Sequence, residues 1–167
     1  INIHSCVNAP SQWAGIEALQ GPQDAVEAMV KEAADTFGTV DIAVSNVSIR
    51  KKQPVEDISV EEWQDTINTN LNSAFYLARC VVPLMKQGGH GKIINLASIA
   101  GRGLSGASSS AYAAAKGGII AFTKKLANEL GPFGINVNAI APSLTLTERI
   151  RPHWEKRNAE QQAVEIE

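Results

Sequence analysis

The chain has few of the residues that disulfide scaffolds and metal centres require. Its two cysteines, Cys6 and Cys80, are too few and too far apart for a disulfide framework or a zinc site. The three histidines, His4, His90 and His153, show no ligand spacing, so we expect no metal site. No apolar run approaches the ~20 residues of a membrane helix, and no signal peptide opens the chain. We therefore expect no membrane association and a cytoplasmic location.

The chain also has little excess of either positive or negative charge. The formal net charge is −2 and the pI is near 6.0, which argues against nucleic acid as a partner because phosphate binding needs a basic patch. The basic cluster Arg50-Lys51-Lys52 is more typical of a solvated loop. With 44% apolar and 19% charged residues, the 167 residues can bury one sizeable core, so we expect a single domain over 1–167.

Helical and extended patterns alternate along the chain. The spacing of apolar residues predicts helices at 23–37, from Ser59 to about Gln87, and at 111–130, and strands at 40–44, 92–97 and 135–140. Gly38 is placed to end the first helix, and Ser59 and Glu62 form a capping box that opens the second. This alternation is typical of an α/β fold with a parallel sheet.

Each predicted helix has one apolar face that we expect to lie inward. These faces comprise Ala25, Met29, Val30, Ala33 and Ala34 in the first helix, Trp63, Ile67, Leu71, Ala74, Ala78, Val81 and Met85 in the second, and Ile119, Phe122, Leu126 and Leu130 in the third.

Four polar residues at defined spacing carry the chemistry. Tyr112 and Lys116 are four residues apart and so share one helix face, where an ammonium group favours the phenolate of a nearby tyrosine. A tyrosine tuned in this way can exchange a proton with an alcohol. Ser98 lies fourteen positions before Tyr112 at a strand end, and Asn70 lies twenty-eight positions before Ser98. Position alone leaves simpler roles open, a turn cap for Ser98 and a hydrogen-bonded core amide for Asn70.

Together with two flanking motifs, this spacing resembles the short-chain dehydrogenase/reductase family. The motifs run from Gly91 to Ser98 (GKIINLAS) and from Ile135 to Pro142 (INVNAIAP). The resemblance extends over about residues 22–150 and is greatest to members that resemble 3-oxoacyl-carrier-protein reductases. It implies a Rossmann-like, doubly wound parallel sheet and an oxidoreductase that moves a hydride between NAD or NADP and a small-molecule carbonyl or secondary alcohol.

The resemblance also implies a role for each of the four residues. Tyr112 would be the acid/base, Lys116 would favour its ionised form and hold the nicotinamide ribose, and Ser98 would position the substrate oxygen. Asn70 would bend its helix and hold a water that connects Lys116 to solvent. The cofactor-binding residues implied are Asn46, Tyr112, Lys116, Pro142, Ser143, Leu144 and Thr147.

Several family features are altered or missing. Asn46-Val47-Ser48 and Pro142-Ser143 replace the family's Asn-Ala-Gly and Pro-Gly. No glycine-rich phosphate-binding turn is present. Ile1-Asn2-Ile3-His4 is typical of the tail of a second strand, and Leu19 stands where the family has an adenine-binding Asp. We therefore expect a partial chain that lacks the first βα unit and the last strand. The absence of an acidic residue after Ile3 weakly favours NADP over NAD.

Two other functions remain open on the sequence alone. The altered motifs slightly favour a non-catalytic dinucleotide sensor or scaffold, whereas the four spaced residues favour an enzyme. An epimerase or dehydratase uses the same Tyr and Lys.

We expect residues 101–110 and 144–160 to frame the substrate, the latter as a lid. Four side chains there could meet an anionic substrate or be solvated: Arg102, Arg149, Arg151 and His153.

The resemblance further implies a homodimer or homotetramer. The helices at 59–87 and 111–130 would pair across subunits, and small residues would allow their close approach. The small residues in question are Ala74, Ala78, Ala114, Ala115 and Gly118.

Overall fold

A computed structural model describes residues 24–104, 108–148 and 150–157. The helices are α1 (Asp24–Phe37), α2 (Val60–Ile67), α3 (Ser73–Gly88), α4 (Ser110–Leu130) and α5 (Arg151–Glu155). The strands are β1 (Ile42–Ser45), β2 (Gly91–Leu96) and β3 (Ile135–Ile140). Short 3-10 turns occur at Val55–Asp57, Ile99–Arg102 and Gly131–Phe133. The predicted elements are therefore present, and the bounds of β1 and β2 differ from prediction by one or two residues.

The three strands form a parallel sheet in the order β1-β2-β3. Ala43 of β1 pairs with Ile93 of β2, which pairs in turn with Val137 of β3. Parallel neighbours require crossover connections, which α2 with α3 provides between β1 and β2, and α4 provides between β2 and β3. The predicted α/β class with a parallel sheet is confirmed.

The core lies on one face of the sheet, between the strands and helices α1, α3 and α4. Its buried members are Val30, Ala43, Ala78, Val81, Met85, Ile93, Leu126, Leu130, Ile135 and Val137. On the opposite face the side chains of Ile42 and Val44 are 57% and 51% exposed.

Helices α2 and α3 are joined end to end by a π-helical turn at Asn68–Asn72, and together they form one rod. The predicted capping box at Ser59 and Glu62 is present at its start. Trp63, predicted to face inward, is 41% exposed, and Thr66 is the buried residue of α2. The π turn takes more residues per turn than an α-helix, so a regular 3.6-residue count from α3 back to α2 lands on the wrong side.

Two residues of α1 predicted to face inward, Ala25 and Met29, are exposed. Met29 is 55% exposed because it lies over the edge of β1, where it lines a cleft with Ile42 and Val47. The small residues predicted to pair across subunits include three that are buried within the chain itself, namely Ala74, Ala78 and Ala115. A larger side chain of α3, Phe75, is instead 46% exposed.

Some predictions lie outside the described residues. These are the strand tail at Ile1–His4, Leu19, the loop residues 105–107, Arg149, the segment 158–167 and the side chain of His153. Within the described ranges, every helix is too short or too polar to cross a bilayer.

Candidate active site

The polar residues predicted from sequence gather at the carboxyl edge of the sheet. Because the strands are parallel, the segments that leave their carboxyl ends start at the same edge. Two hydrogen bonds join the segments after β2 and β3: Ala97 N–H donates to the Ile140 carbonyl at 2.8 Å, and Ile99 N–H donates to the Pro142 carbonyl at 3.2 Å. The Ser98 segment and the Pro142 segment are therefore held side by side.

Ser98 begins the 3-10 turn Ile99–Arg102. Its Oγ accepts a hydrogen bond from Ala100 N–H at 3.2 Å, so the turn-capping role is present. The side chain is half-buried. A hydroxyl that accepts through its oxygen still has its own hydrogen to donate, so capping does not exclude contact with a substrate oxygen.

Tyr112 lies in the first turn of α4, where its backbone is fixed by Ser109. Ser109 Oγ accepts from Tyr112 N–H at 3.3 Å, which is the usual geometry of an N-cap serine. Ser109 N–H in turn donates to the Lys51 carbonyl at 3.2 Å. The Tyr112 side chain is only 9% exposed. The start of α4 is thus anchored on both sides of its cap.

Lys116 is the largest of the most deeply buried side chains, at 1% exposure. Its Nζ donates to the Leu96 carbonyl at 2.7 Å and lies 5.7 Å from the centroid of the Tyr112 ring. Burial lowers the pKa of Lys116 from 10.5 to about 8, because the desolvated ammonium is less stable than in water. An ammonium has three hydrogens, so two remain for other partners. The predicted Tyr–Lys pair is therefore close in space and shielded from solvent.

Asn70 is held by the segment after β1. Its Oδ1 accepts from Ser48 Oγ at 2.7 Å and from Ile49 N–H at 3.2 Å. Its Nδ2 donates to the carbonyls of Ile49 at 3.0 Å and Thr66 at 2.8 Å. These four bonds use the amide fully, so the side chain has the structural role considered for it. Its position within the π turn agrees with the predicted irregularity of this helix.

The segment after β1 is also tied to the capping box. Lys51 and Gln53 both hydrogen-bond the Glu62 carboxylate, and the Lys51 contact is an ion pair. These bonds lower the pKa of Glu62 to about 2, and the bond to Lys51 has the largest effect. Residues 48–53 therefore connect three parts of the site, the π turn, the start of α2 and the cap of α4.

The predicted cofactor-binding residues follow the carboxyl ends of β1 and β3. Asn46, Pro142, Ser143 and Leu144 are exposed there, open to a ligand. Thr147 is half-buried, and its carbonyl accepts from the N–H groups of Ile150 and Arg151, which lead into α5. The structure thus leaves four of these five residues accessible at the edge where Tyr112 and Lys116 lie.

Sequence reasoning missed one buried polar pair. Asn95 of β2 is fully buried, and its Nδ2 donates to Thr123 Oγ1 of α4 at 2.9 Å. Asn95 Oδ1 has no hydrogen-bond partner among the described residues. An unsatisfied buried acceptor costs about 1–3 kcal/mol. The available signal was a lone polar residue within the apolar run from Ile93 to Leu96.

Comparison with known proteins identifies what this arrangement is similar to. The short chain dehydrogenase family profile matches residues 3–158. The chain is 40% identical over 142 residues to D-beta-hydroxybutyrate dehydrogenase of Cupriavidus necator, covering 85% of this chain and 54% of the relative. It is 39% identical over 125 residues to a 3-oxoacyl-[acyl-carrier-protein] reductase of Vibrio cholerae, covering 75% of this chain and 51% of the relative.

Solved structures agree with these relatives. A short-chain dehydrogenase from Streptomyces avermitilis superposes with a TM-score of 0.71 at 28% identity, over 76% of this chain and 46% of that one. The chain therefore spans about half the length of the proteins it matches.

Proposed function

The chain belongs to the short chain dehydrogenase family, and on that premise we propose that it interconverts a carbonyl and a secondary alcohol with NAD or NADP. The observation that carries this proposal is the buried Tyr112–Lys116 pair at the carboxyl edge of the sheet. A buried ammonium beside a phenol, in a wall that also contains a serine hydroxyl, suits proton transfer to an oxygen atom.

Tyr112 is proposed as the acid/base. In the reducing direction its phenol O–H would donate the proton that a carbonyl oxygen takes up as it becomes an alcohol. In the oxidising direction the phenolate would take that proton back. The Ser109 cap holds the backbone of Tyr112 still, so that the hydroxyl returns to one place in each turnover.

Lys116 would support this proton transfer electrostatically. A buried positive charge acts through a low dielectric, so it stabilises a nearby phenolate more strongly than a solvated one would. Its bond to the Leu96 carbonyl fixes the ammonium and leaves two N–H groups for other partners. Ser98 would donate to the substrate oxygen. Asn70 would act by holding residues 48–49 in place, and a water on the π turn would connect Lys116 to solvent.

The residues present fit a nicotinamide cofactor at this edge. Asn46, Pro142, Ser143 and Leu144 are exposed there, and Lys116 has donors to spare for a ribose hydroxyl. Thr147 would add a contact to the carboxamide. The nicotinamide supplies or accepts the hydride, and the protein supplies orientation and electrostatics. Between NAD and NADP, we retain the weak preference for NADP that the absence of an acidic residue after Ile3 suggests.

The experiment is a comparison of Tyr112→Phe with Tyr76→Phe in the full-length protein. Tyr76 is a half-buried tyrosine on α3, so its variant controls for loss of a phenol elsewhere. The substrates would include 3-hydroxybutyrate and a 3-oxoacyl thioester, which the names of the two relatives suggest. The readout is NAD(P)H absorbance.

We expect Tyr112→Phe to lower kcat by about 10²–10⁴-fold, the usual contribution of a general acid/base, while Tyr76→Phe stays near wild type. Thermal unfolding of both variants should remain close to wild type. Near-normal turnover by Tyr112→Phe would contradict the proposal. Tight NAD(P)H binding with no turnover of any ketone or alcohol by the wild type would indicate the alternative, a dinucleotide sensor.

A further inference from the structure

Asn95 and Thr123 form a polar link inside an otherwise apolar layer. Thr123 Oγ1 donates to the Ile119 carbonyl at 2.7 Å, so its hydrogen is used and its lone pairs accept from Asn95 Nδ2 at 2.9 Å. Both side chains are buried, at 5% and 0% exposure. The link therefore joins β2 directly to α4, away from solvent competition.

This link joins the same two elements as the Lys116 contact. Asn95 immediately precedes Leu96, whose carbonyl accepts from Lys116 Nζ. Thr123 follows Lys116 by seven residues, which is two turns of helix, so both side chains lie on one face of α4. Strand β2 and helix α4 are thus held together at two adjacent strand residues and two points along the helix.

Elsewhere α4 is held at its start by the Ser109 cap, and Gly101 packs against its backbone at Lys116. Further along, its buried side chains include Ala115, Ile119 and Leu126, whose apolar burial is favourable but non-directional. A hydrogen bond depends on both distance and angle, so it resists a sliding motion that apolar packing tolerates. The Asn95–Thr123 bond is the directional contact nearest to Lys116 along this interface.

Stability alone does not explain Asn95. Its Oδ1 is buried and without a partner in the described part of the chain, so an apolar side chain of similar size would be better suited to the layer. The bond that Asn95 Nδ2 makes to Thr123 remains the feature that an apolar residue would not supply.

We infer that Asn95 and Thr123 are positioning residues that set where Lys116 and Tyr112 of α4 lie relative to the Leu96 carbonyl and to Ser98, which follow Asn95 along the chain. The inference rests on the proposed role of Lys116 in carbonyl reduction. The link resists a shift of α4 along β2, which would carry the Lys116 ammonium away from the Leu96 carbonyl and would move Lys116 and Tyr112 together relative to Ser98. Neither residue touches the reacting atoms.

The test compares Thr123→Val with Thr123→Ser in the full-length protein. Valine keeps the shape of threonine but removes the acceptor, whereas serine keeps the hydroxyl. We expect Thr123→Val to lower kcat about tenfold or more, since small displacements of catalytic groups are costly, with KM changed less than about twofold. Thr123→Ser should restore kcat to within about threefold of wild type.

A second readout does not depend on activity. Carbon-13 labelling of lysine allows the titration of Lys116 to be followed at Cε by NMR, with the signal assigned by its loss in Lys116→Met. The wild-type pKa should be near 8. In Thr123→Val it should move towards 10.5, because a displaced ammonium is better solvated. Thr123→Ser should titrate as wild type does.

Ile135→Val is the matched control for loss of core packing. Ile135 is 1% exposed and lies at the opposite end of the sheet, paired with Gly91. It should lower stability but leave kcat and the Lys116 titration unchanged. If Thr123→Val behaves like Ile135→Val in both readouts, the positioning role is wrong. If Tyr112→Phe proves active while the Lys116 titration still shifts in Thr123→Val, the proposed function fails and the positioning of Lys116 stands.

Discussion

Gly101 lies directly against the backbone of Lys116. A Cβ atom on residue 101 would come within 2.5 Å of the Lys116 carbonyl carbon and 2.6 Å of the Gly117 nitrogen, closer than atoms can approach. The turn that begins at Ser98 can therefore rest on α4 only because residue 101 has no side chain. Glycine at this position brings the serine and the lysine of the candidate site together.

Replacing Gly101 with alanine should therefore damage the site. Backbone atoms of α4 cannot move aside as a flexible side chain would, so we expect Gly101→Ala to lower the free energy of unfolding by about 1–3 kcal/mol, the usual cost of overpacking. Activity should fall further than stability, because Ser98 is displaced from Tyr112. Urea unfolding and NAD(P)H-coupled assays would measure the two effects.

Gly131→Ala provides the control for Gly101→Ala. Gly131 has φ −51° and no atom within 4 Å of the added Cβ, so alanine should be tolerated or slightly stabilising there. Equal losses in both variants would contradict the close-packing argument.

The buried Lys116 should make both stability and activity depend on pH. Its pKa is lowered from 10.5 to about 8, which at about 1.4 kcal/mol per pKa unit corresponds to about 3 kcal/mol. The folded state binds this proton less readily than the unfolded state. The buried charge of Lys116 therefore destabilises the folded state to its full extent below pH 8. The free energy of unfolding rises as pH increases from about 8 to 10.5. Lys116→Met should remove that rise in urea unfolding.

The same titration should appear in turnover. Above about pH 8 Lys116 loses its charge, so ketone reduction by the wild type should decline there. Lys116→Arg keeps its charge at every accessible pH, so the residual activity of that variant should lack the decline. An unchanged decline in Lys116→Arg would assign it to another group.

His90 should make stability decrease as the solution becomes alkaline. Its Nδ1 lies 3.0 Å from the Gly88 carbonyl and its Nε2 lies 2.6 Å from Asp41 Oδ1, so both nitrogens donate when the ring is protonated. The Gly88 bond first, then Asp41, raises the pKa of His90 above 6.5. Its contribution is therefore fully present below about pH 6.5 and is lost as pH rises through the raised value.

Unfolding in urea between pH 5.5 and 8.5 would measure this effect. His90→Asn should flatten the dependence, and added salt should weaken it in the wild type because both side chains are largely exposed. Identical slopes for wild type and His90→Asn would rule out His90 as the source.

Phe75 should contribute to association between subunits. It is 46% exposed on α3, and its ring contacts Tyr76 and Phe122 at centroid distances of 5.5 and 6.4 Å. An exposed aromatic ring backed by two half-buried ones suits an interface, so we expect a dimer or tetramer built on the outer faces of α3 and α4. Phe75→Arg should shift sedimentation at micromolar concentration towards the monomer.

Phe37→Arg is the comparison for Phe75→Arg. Phe37 is 78% exposed at the end of α1, on a different part of the surface. Dissociation by Phe37→Arg, with Phe75→Arg unaffected, would place the interface elsewhere.

Signals that act within a few residues were predictable from the sequence. The Ser59–Glu62 capping box, the end of α1 at Gly38 and the span of β3 depend on neighbours along the chain, and the structure has all three. The proximity of Tyr112 and Lys116 was predictable for the same reason, since residues four apart share a helix face.

Contacts between residues distant in sequence were not predictable in this way. The Asn95–Thr123 bond spans twenty-eight positions, and the Lys116–Leu96 bond spans twenty. Both depend on how α4 settles on β2, which no local pattern records. The family resemblance gave the site residues but not the partners that hold them. Trp63 was misplaced because a regular helical period cannot anticipate a π turn.

The segment formed by α2, the π turn at Asn68–Asn72 and α3 should be sensitive to a change in its number of residues. Each residue of an α-helix advances the side chains by about 100° around its axis. Removing one residue from the α-helical part of α3 would rotate everything before it by roughly that angle relative to the rest of α3. Thr66 would then swing out of the layer, and the carbonyl that accepts from Asn70 would leave with it. The direction of each side chain around the helix axis depends on how many residues separate it from α3. Single-residue insertions and deletions in these helices should therefore be more harmful than most substitutions.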